Sequence, residues 1–270
     1  MADHMTVGVI GGTGMLGRSM VAGLLASGVV APQSLWVANR SANRGDLPEG
    51  VQVTADAQAL VRACEVVILS VPPAHFEALE MAASGKLVIS VMAGVSRARI
   101  AAQTGAERVV RAMSSPAAAQ RLAFSPWCGD LGGEDAARVA ALLGACGTTV
   151  QVADEAEIEV FTALTGPVPG FVAQFAAAMA DYAARRGVAP EVADMAVRQL
   201  FLGSGQMLAE TAPTPEEHVE EMIDYAGTTA AGLLAMRSAG LQAAVDAGLD
   251  AAVARTREIA EQGLQPGVAP

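Results

Sequence analysis

Charge, aromatic rings, histidine and cysteine are all scarce in this chain. Only 17% of its 270 residues are charged and 4% aromatic, with three histidines and three cysteines. Cys64, Cys128 and Cys146 are an odd number without Cys-x-x-Cys spacing, which indicates neither a disulfide framework nor a zinc site. Buried free thiols in a reducing compartment are expected. No Ser/His/Asp or Cys/His constellation and no metal-ligand cluster stands out, which counts against hydrolase and metalloenzyme chemistry. Basic residues number 17 against 28 acidic ones, and the net charge of −11 argues against a nucleic-acid partner, which needs clustered Lys and Arg. Long apolar runs are missing too. Gln174 and Asp181 interrupt the best candidate, so no membrane span is expected. The first strand pattern starts within ten residues of Met1, so no signal peptide is expected and the cytoplasm is the expected location.

What the chain does have is apolar, much of it alanine: 52% of residues are hydrophobic, enough for a sizeable core in one large domain or two ordinary ones. Its most informative stretch comes first. The apolar run Val7–Ile10 feeds Gly11-Gly12-Thr13-Gly14-Met15-Leu16-Gly17, in which Gly12, Gly14 and Gly17 fit the G-x-G-x-x-G spacing. A glycine-rich turn between strand and helix brings backbone close to a pyrophosphate and offers it unpaired N–H groups at a helix N-terminus. The spacing assigns the tight turn to Gly12, the close approach to Gly14 and the helix–strand packing to Gly17.

Short apolar runs at Leu35–Ala38, Val51–Thr54, Val66–Val71, Leu87–Val91, Arg108–Met113 and Thr148–Val152 alternate with helical segments at 18–26, 57–63, 100–104 and 135–143. That alternation predicts a parallel sheet covered on both faces. After about Asp154 no strand signal remains. Helices are predicted from Pro169 to Arg186 and from Pro190 to about Glu210, and the capping-box order Thr214-Pro215-Glu216-Glu217 opens another. The chain is therefore read as α/β: an N-terminal Rossmann-type doubly wound sheet over residues 1–153, then an all-helical domain over 154–270. That second part carries more apolar surface than one thin bundle buries, so dimerisation through it is expected, with a higher oligomer left open.

The second strand ends Ala38-Asn39-Arg40-Ser41, with no carboxylate until Asp46. An acidic residue at that point would meet the ribose 2′-hydroxyl of NAD, whereas an arginine accommodates the 2′-phosphate of NADP. Arg40 offers a charged planar fork and Ser41 a hydroxyl, which favours NADP, with NADPH preferred over NADH. A solvated surface arginine is the alternative. His75, after Pro72-Pro73, is read either as a solvated loop residue or as a cofactor neighbour.

Several further segments line up in order: Leu69-Ser70-Val71-Pro72-Pro73, Ser90-Val91-Met92-Ala93-Gly94-Val95-Ser96, Val110-Arg111-Ala112-Met113, Leu164 to Phe171, Ala226-Gly227-Thr228-Thr229-Ala230-Ala231-Gly232-Leu233, and Arg255-Thr256-Arg257-Glu258-Ile259. With the glycine turn they resemble the pyrroline-5-carboxylate reductase family over nearly the whole chain. The resemblance implies a reductase that carries hydride from NADPH to the C=N bond of a cyclic imine, making proline in the family's own case. It also implies a helical domain that interlocks two subunits, with the active site between the nucleotide domain of one and helices of the other. It places Val71, Pro72, Ala93 and Gly94 along the cofactor. Gly227, Thr228 and Thr229 would hold the substrate carboxylate, with Thr229, then Thr228, supplying the hydroxyl near the ring nitrogen.

Several pocket positions depart from the family pattern. Ser115 stands where the family has asparagine, and Thr165-Gly166-Pro167-Val168 replaces a serine- and glycine-rich segment. Asp224-Tyr225-Ala226 precedes Gly227 where the family has serine, proline and glycine. Ser115, Thr165, Gly166, Val168, Tyr225 and Gly227 are accordingly the expected substrate contacts. A carboxylate at Asp224 repels an acidic substrate. A related cyclic imine, bulkier or without the carboxylate, therefore rivals pyrroline-5-carboxylate. The extra glycine of the turn looks like the deazaflavin-dependent NADP reductases, one alternative reading; a non-catalytic NADP-binding sensor is another. Hydride transfer to an imine needs little from side chains beyond near-attack geometry and one hydroxyl near the nitrogen. The alternative for Thr228 and Thr229 is capping of the helix that follows.

Overall fold

The computed structural model describes residues 5–166, 170–210 and 212–262. β1 (Val7–Ile10) is buried along its whole length and feeds the glycine turn. From that turn α1 (Met15–Ser27) departs, ending where Gly28 turns left-handed at φ 73°. The chain continues through β2 (Leu35–Ala38), β3 (Gln52–Thr54), α2 (Ala57–Ala63), β4 (Val66–Leu69), α3 (Pro73–Phe76), β5 (Leu87–Ser90), α4 (Arg97–Thr104) and β6 (Arg108–Ala112). Local chemistry sets the helix starts. Asp56 accepts from the Ala59 N–H to cap α2, and Ser96 accepts from the Arg99 N–H to cap α4. Pro73 opens α3 from the first turn, where its missing N–H costs nothing.

β7 (Ala123–Cys128), α5 (Gly133–Gly144) and β8 (Gly147–Gln151) complete one sheet in the order β3-β2-β1-β4-β5-β6-β7-β8. The strands from β3 to β6 are parallel, and the reversal of winding falls between β1 and β4. Alternate residues of these strands supply two buried clusters, one on each face. Val7, Val9, Val37, Ile68 and Ile89 lie in one, and Ile10, Val67, Leu69 and Val88 in the other.

One strand departs from expectation. β7 escapes the sequence pattern and runs antiparallel to β6, so the sheet is mixed rather than wholly parallel. Only Arg111–Cys128 and Ala112–Trp127 pair across that step, while the whole run from Ala123 to Trp127 pairs with β8 in parallel. Two strands therefore overhang the carboxyl edge of the parallel ladder.

Beyond the sheet come α6 (Glu155–Leu164), α7 (Gly170–Arg185), α8 (Pro190–Leu208), α9 (Pro215–Asp224), α10 (Thr228–Ser238) and α11 (Leu241–Gln262). The capping box foreseen at Thr214 forms with Glu217, and Pro190 and Pro215 each stand in the first turn. A second capping box, Asp154 with Glu157, opens α6. The chain divides into two compact units, Met1–Val168 with Ala251–Pro270, and Pro169–Asp250. Taken by itself, the second unit buries little: α7 and α9 have no buried residue, and Phe171, Phe175, Met195, Leu202 and Met207 are exposed. Among the described residues no helix is long and apolar enough to cross a membrane, and no cluster of metal-ligating side chains occurs.

The three thiols are free and buried. Burial pushes Cys64 up to about 12 and Cys146 up to about 11, and it also raises Cys128. At pH 8 the native protein is therefore expected to react slowly with a disulfide thiol reagent, at a rate limited by opening, and quickly in denaturant. The sign of the linkage follows: the unfolded thiols ionise first. Stability holds below the ordinary thiol value of 9.0 and falls as pH rises from there toward about 11 and about 12. An alkaline titration of the melting temperature checks this.

Candidate cofactor and substrate site

The glycine turn is stitched into the crevice where the strand order reverses. The Gly11 N–H donates to the Ala38 carbonyl at 2.9 Å, and the Ser70 N–H donates to the Ile10 carbonyl at 2.9 Å. Gly11, not Gly12, makes the tight turn. Its φ is +84°, and a Cβ there would lie 2.4 Å from the Ser70 carbonyl oxygen. A Cβ on Gly17 would lie 2.3 Å from the Gly11 carbonyl oxygen, which is the close helix–strand packing expected of it. Gly12 instead accommodates the Val37 side chain, 2.9 Å from where its Cβ would stand. The spacing G-x-G-x-x-G thus placed the turn one residue late, because the extra glycine shifts the strained position to the end of β1.

Gly14 is the N-cap of α1 and brings no capping side chain. The amides of Met15, Leu16 and Gly17 therefore begin the helix as open donors at its positive end. Beside them lies a cavity of about 660 Å³. Of the residues expected at the cofactor, Thr13, Gly14, Asn39, Arg40, Ser41, Val71 and Pro72 line it together. Its remaining wall is Ile10, Gly11, Ala38, Ala55, Ala57, Ser70, His75, Ala78 and Leu79. His75 is exposed and also lines this cavity, so neither of its two readings is set aside. Ala55, Ala78 and Leu79 were not foreseen; they are small or apolar residues in connections, and nothing in their spacing marks them.

The tip between β2 and β3 is shaped by one side chain. Asn39 Oδ1 accepts from the Ser41 N–H at 3.2 Å, the Ser41 hydroxyl at 3.1 Å and the Asn43 N–H at 3.1 Å, and its Nδ2 donates to the Asn43 carbonyl at 2.9 Å. Arg40 at that tip is exposed and makes no ion pair or hydrogen bond among the described residues. A fixed backbone thus presents an uncommitted guanidinium to the cavity. A bed of glycines that no Cβ can enter, open helix amides and a free arginine fit a dinucleotide carrying a 2′-phosphate.

Other expected residues lie elsewhere. Ala93 does not line that cavity; it packs against the buried cluster of Met113, Cys128 and Ile158, and Gly94 follows it at φ 71°. Ser115 is 4% exposed and opens a 3₁₀ turn over Pro116–Gln120, and its neighbour Ser114 accepts a hydrogen bond from Ser125 at 2.9 Å. Thr165 closes α6, with its hydroxyl donating to the Phe161 carbonyl at 2.9 Å. A Cβ on Gly166 would stand 3.5 Å from Met113 Sδ, so the end of α6 abuts the segment that carries Ser115. Ala93, Met113, Ser115 and Gly166 therefore share one end of the first unit. Val168 lies outside the described residues. In the second unit, Gly227 is the N-cap of α10 with no side chain to offer, and Thr228 and Thr229 are exposed at its first two positions. Neither hydroxyl caps the helix, contrary to the alternative reading. Tyr225, 84% exposed, precedes them.

Residues 155–259 match the family described as pyrroline-5-carboxylate reductase dimerisation, and residues 6–94 match the one described as NADP oxidoreductase, coenzyme F420-dependent. The pyrroline-5-carboxylate reductase of Arabidopsis thaliana is 31% identical, over 96% of this chain and 97% of its own length. The chain belongs to the pyrroline-5-carboxylate reductase family. The enzyme of that name from Methanosarcina acetivorans is 30% identical, over 96% of this chain and 100% of its own. Among solved structures, the pyrroline-5-carboxylate reductase of Coxiella burnetii superposes with a TM-score of 0.82 at 25% identity, covering 95% of this chain and 99% of that one. The likeness to coenzyme F420-dependent oxidoreductases ends at residue 94 and is confined to the half that carries the glycine turn.

Proposed function

We propose that the protein reduces a cyclic imine with NADPH, taking pyrroline-5-carboxylate to proline or a related ring imine to its saturated amine. The observation that carries this is the single cavity shared by Thr13, Gly14, Asn39, Arg40 and Ser41, in a chain of this family. NADPH, when bound, supplies the hydride that reaches the imine carbon. The chain's own work is to bind, orient and exclude water. The α1 amides and the bed of Gly11 and Gly17 receive the pyrophosphate, and Arg40 with Ser41 takes the 2′-phosphate. Residues 1–153 serve the cofactor, and residues 154–270 pair two copies and hold the substrate. The open amides of α10 and the hydroxyls of Thr228 and Thr229 suit a carboxylate, and Thr229 donates to the ring nitrogen.

A ring without the carboxylate is the second reading, favoured by Asp224 at the end of α9, three residues before Gly227. Incubation of the purified protein with NADPH and pyrroline-5-carboxylate decides between them. Loss of reduced-nicotinamide absorbance supports the proline reaction; none at saturating enzyme overturns it, and 1-pyrroline then tests the second. Thr229→Val should lower kcat about a hundredfold while leaving NADPH affinity unchanged, the loss typical of a missing proton donor. Equal kcat in the variant would return Thr229 to a merely structural role. The exposed apolar residues of α7, α8 and α10 suit a partner copy, and light scattering should give at least twice the chain's mass. The reading includes a cytoplasmic location.

A further inference from the structure

The substrate end of the first unit contains a buried cation whose expense needs a reason. Arg111, near the end of β6, is 3% exposed. Its Nη1 lies 3.3 Å from Glu155 Oε1 and 3.8 Å from Glu159 Oε1, both on α6, while Nε and Nη2 have no protein partner among the described residues. A buried ion pair rarely stabilises a protein more than apolar side chains of the same volume would. An apolar residue here would offer no directional partner to α6 and would leave it free to slide or rotate. Two carboxylates one helical turn apart, facing one guanidinium, fix both the axial position and the rotation of a helix.

Both carboxylates are held from a second side as well. Glu155 Oε1 accepts from the Arg97 N–H at the start of α4 at 2.8 Å, and Arg97 itself pairs with Asp130 at 2.8 Å. Glu159 pairs with Arg257 of α11 at 3.2 Å. The far end of α6 is where that register matters. A Cβ on Gly166 would clash with the Thr162 carbonyl oxygen at 2.4 Å and would stand in ordinary contact, 3.5 Å, with Met113 Sδ. Met113 is two residues beyond Arg111 and two before Ser115. The same strand end therefore carries the clamp and the segment that α6 must meet.

We propose that Arg111 is a positioning residue for the reaction: by clamping Glu155 and Glu159 it sets Thr165 and Gly166 against the Met113–Ser115 segment. The functional part of this rests on the cyclic-imine reading above, together with Ser115, Thr165 and Gly166 as the substrate contacts expected from the sequence. Arg111 does not touch substrate; it acts through α6.

Three variants and two kinds of measurement test the idea. Arg111→Met should raise the KM for the imine about tenfold or more, with kcat reduced less and the Kd for NADPH within about twofold, because small misplacements of contact residues are costly. Arg111→Lys, which keeps the charge but loses the fork, should recover part of that loss. Amide hydrogen exchange should quicken in residues 155–166 and stay unchanged in residues 35–41. Should Arg111→Met fail to fold, Glu159→Gln, at a more accessible position, should show the same pattern at about threefold in KM. An unchanged imine KM, or NADPH affinity falling in step with it, overturns the proposal. If the wild-type protein reduces no cyclic imine, the functional reading fails, and exchange alone judges the clamp. Quickening confined to 155–166 then upholds it, and unchanged exchange overturns it.

Discussion

Arg40→Ala is expected to raise the KM for NADPH about ten- to a hundredfold and to leave that for NADH nearly unchanged, since hydrogen bonds to charged groups contribute about 1.5–3 kcal/mol. The asymmetry arises because only NADPH carries the 2′-phosphate. Arg40 is available for it: it is exposed, has no acidic partner among the described residues, and lines the cavity beside Ser41. The tip that presents it is fixed by Asn39, whose Oδ1 accepts three hydrogen bonds from that tip, so removing the guanidinium leaves the backbone where it was. Arg40→Lys should keep part of the preference as a point charge without the planar fork. Steady-state kinetics with both coenzymes at two salt concentrations check it, because an exposed charge pair weakens with salt. An equal loss for NADPH and NADH would mean that Arg40 shapes the loop rather than reads the phosphate.

Gly17→Val should be more damaging still, abolishing measurable binding of either coenzyme. A Cβ at this position would meet the Gly11 carbonyl oxygen at 2.3 Å and the Gly12 Cα at 2.9 Å, both backbone atoms that cannot rotate away. Relief requires α1 to move off the turn, and the amides of Met15 to Gly17 then no longer converge on one anion. The strain also weakens the fold. A penalty of about 1–3 kcal/mol corresponds to a drop in melting temperature of roughly 3–10 °C for a chain of this size. Fluorescence titration with NADPH and a melting curve separate the two effects. Retention of NADPH affinity with only a lowered melting temperature would show that the pyrophosphate does not rest on this turn.

The sequence made the first half readable because its signals are local. Val7–Ile10, Leu35–Ala38 and Leu87–Ser90 are short apolar runs closed by turn chemistry, and each is a strand within a residue of its expected bounds. β7 escaped because Phe124-Ser125-Pro126-Trp127 contains a proline, which ordinarily argues against an interior strand. The register explains the exception. Pro126 stands just past the two-residue ladder with β6, where only its carbonyl is required, accepting from the Met113 N–H at 3.1 Å. The position of the glycine turn was legible, but which glycine takes positive φ was not, since that depends on the Ser70 carbonyl just past the end of β4. Arg111 shows the same limit more sharply. Its carboxylates lie 44 and 48 positions later in the chain, and no periodicity links a strand end to a helix that distant. The cavity wall at Ala55, Ala78 and Leu79 is likewise a product of folding alone.

The shielding of Cys64, Cys128 and Cys146 has a practical side. With every native thiol buried, the chain is already a silent background for chemical labelling. One cysteine introduced on an exposed helix surface would be the single fast-reacting position in the molecule. A spin label or fluorophore placed there would report the distance between two copies directly, with no native residue replaced to quiet the background.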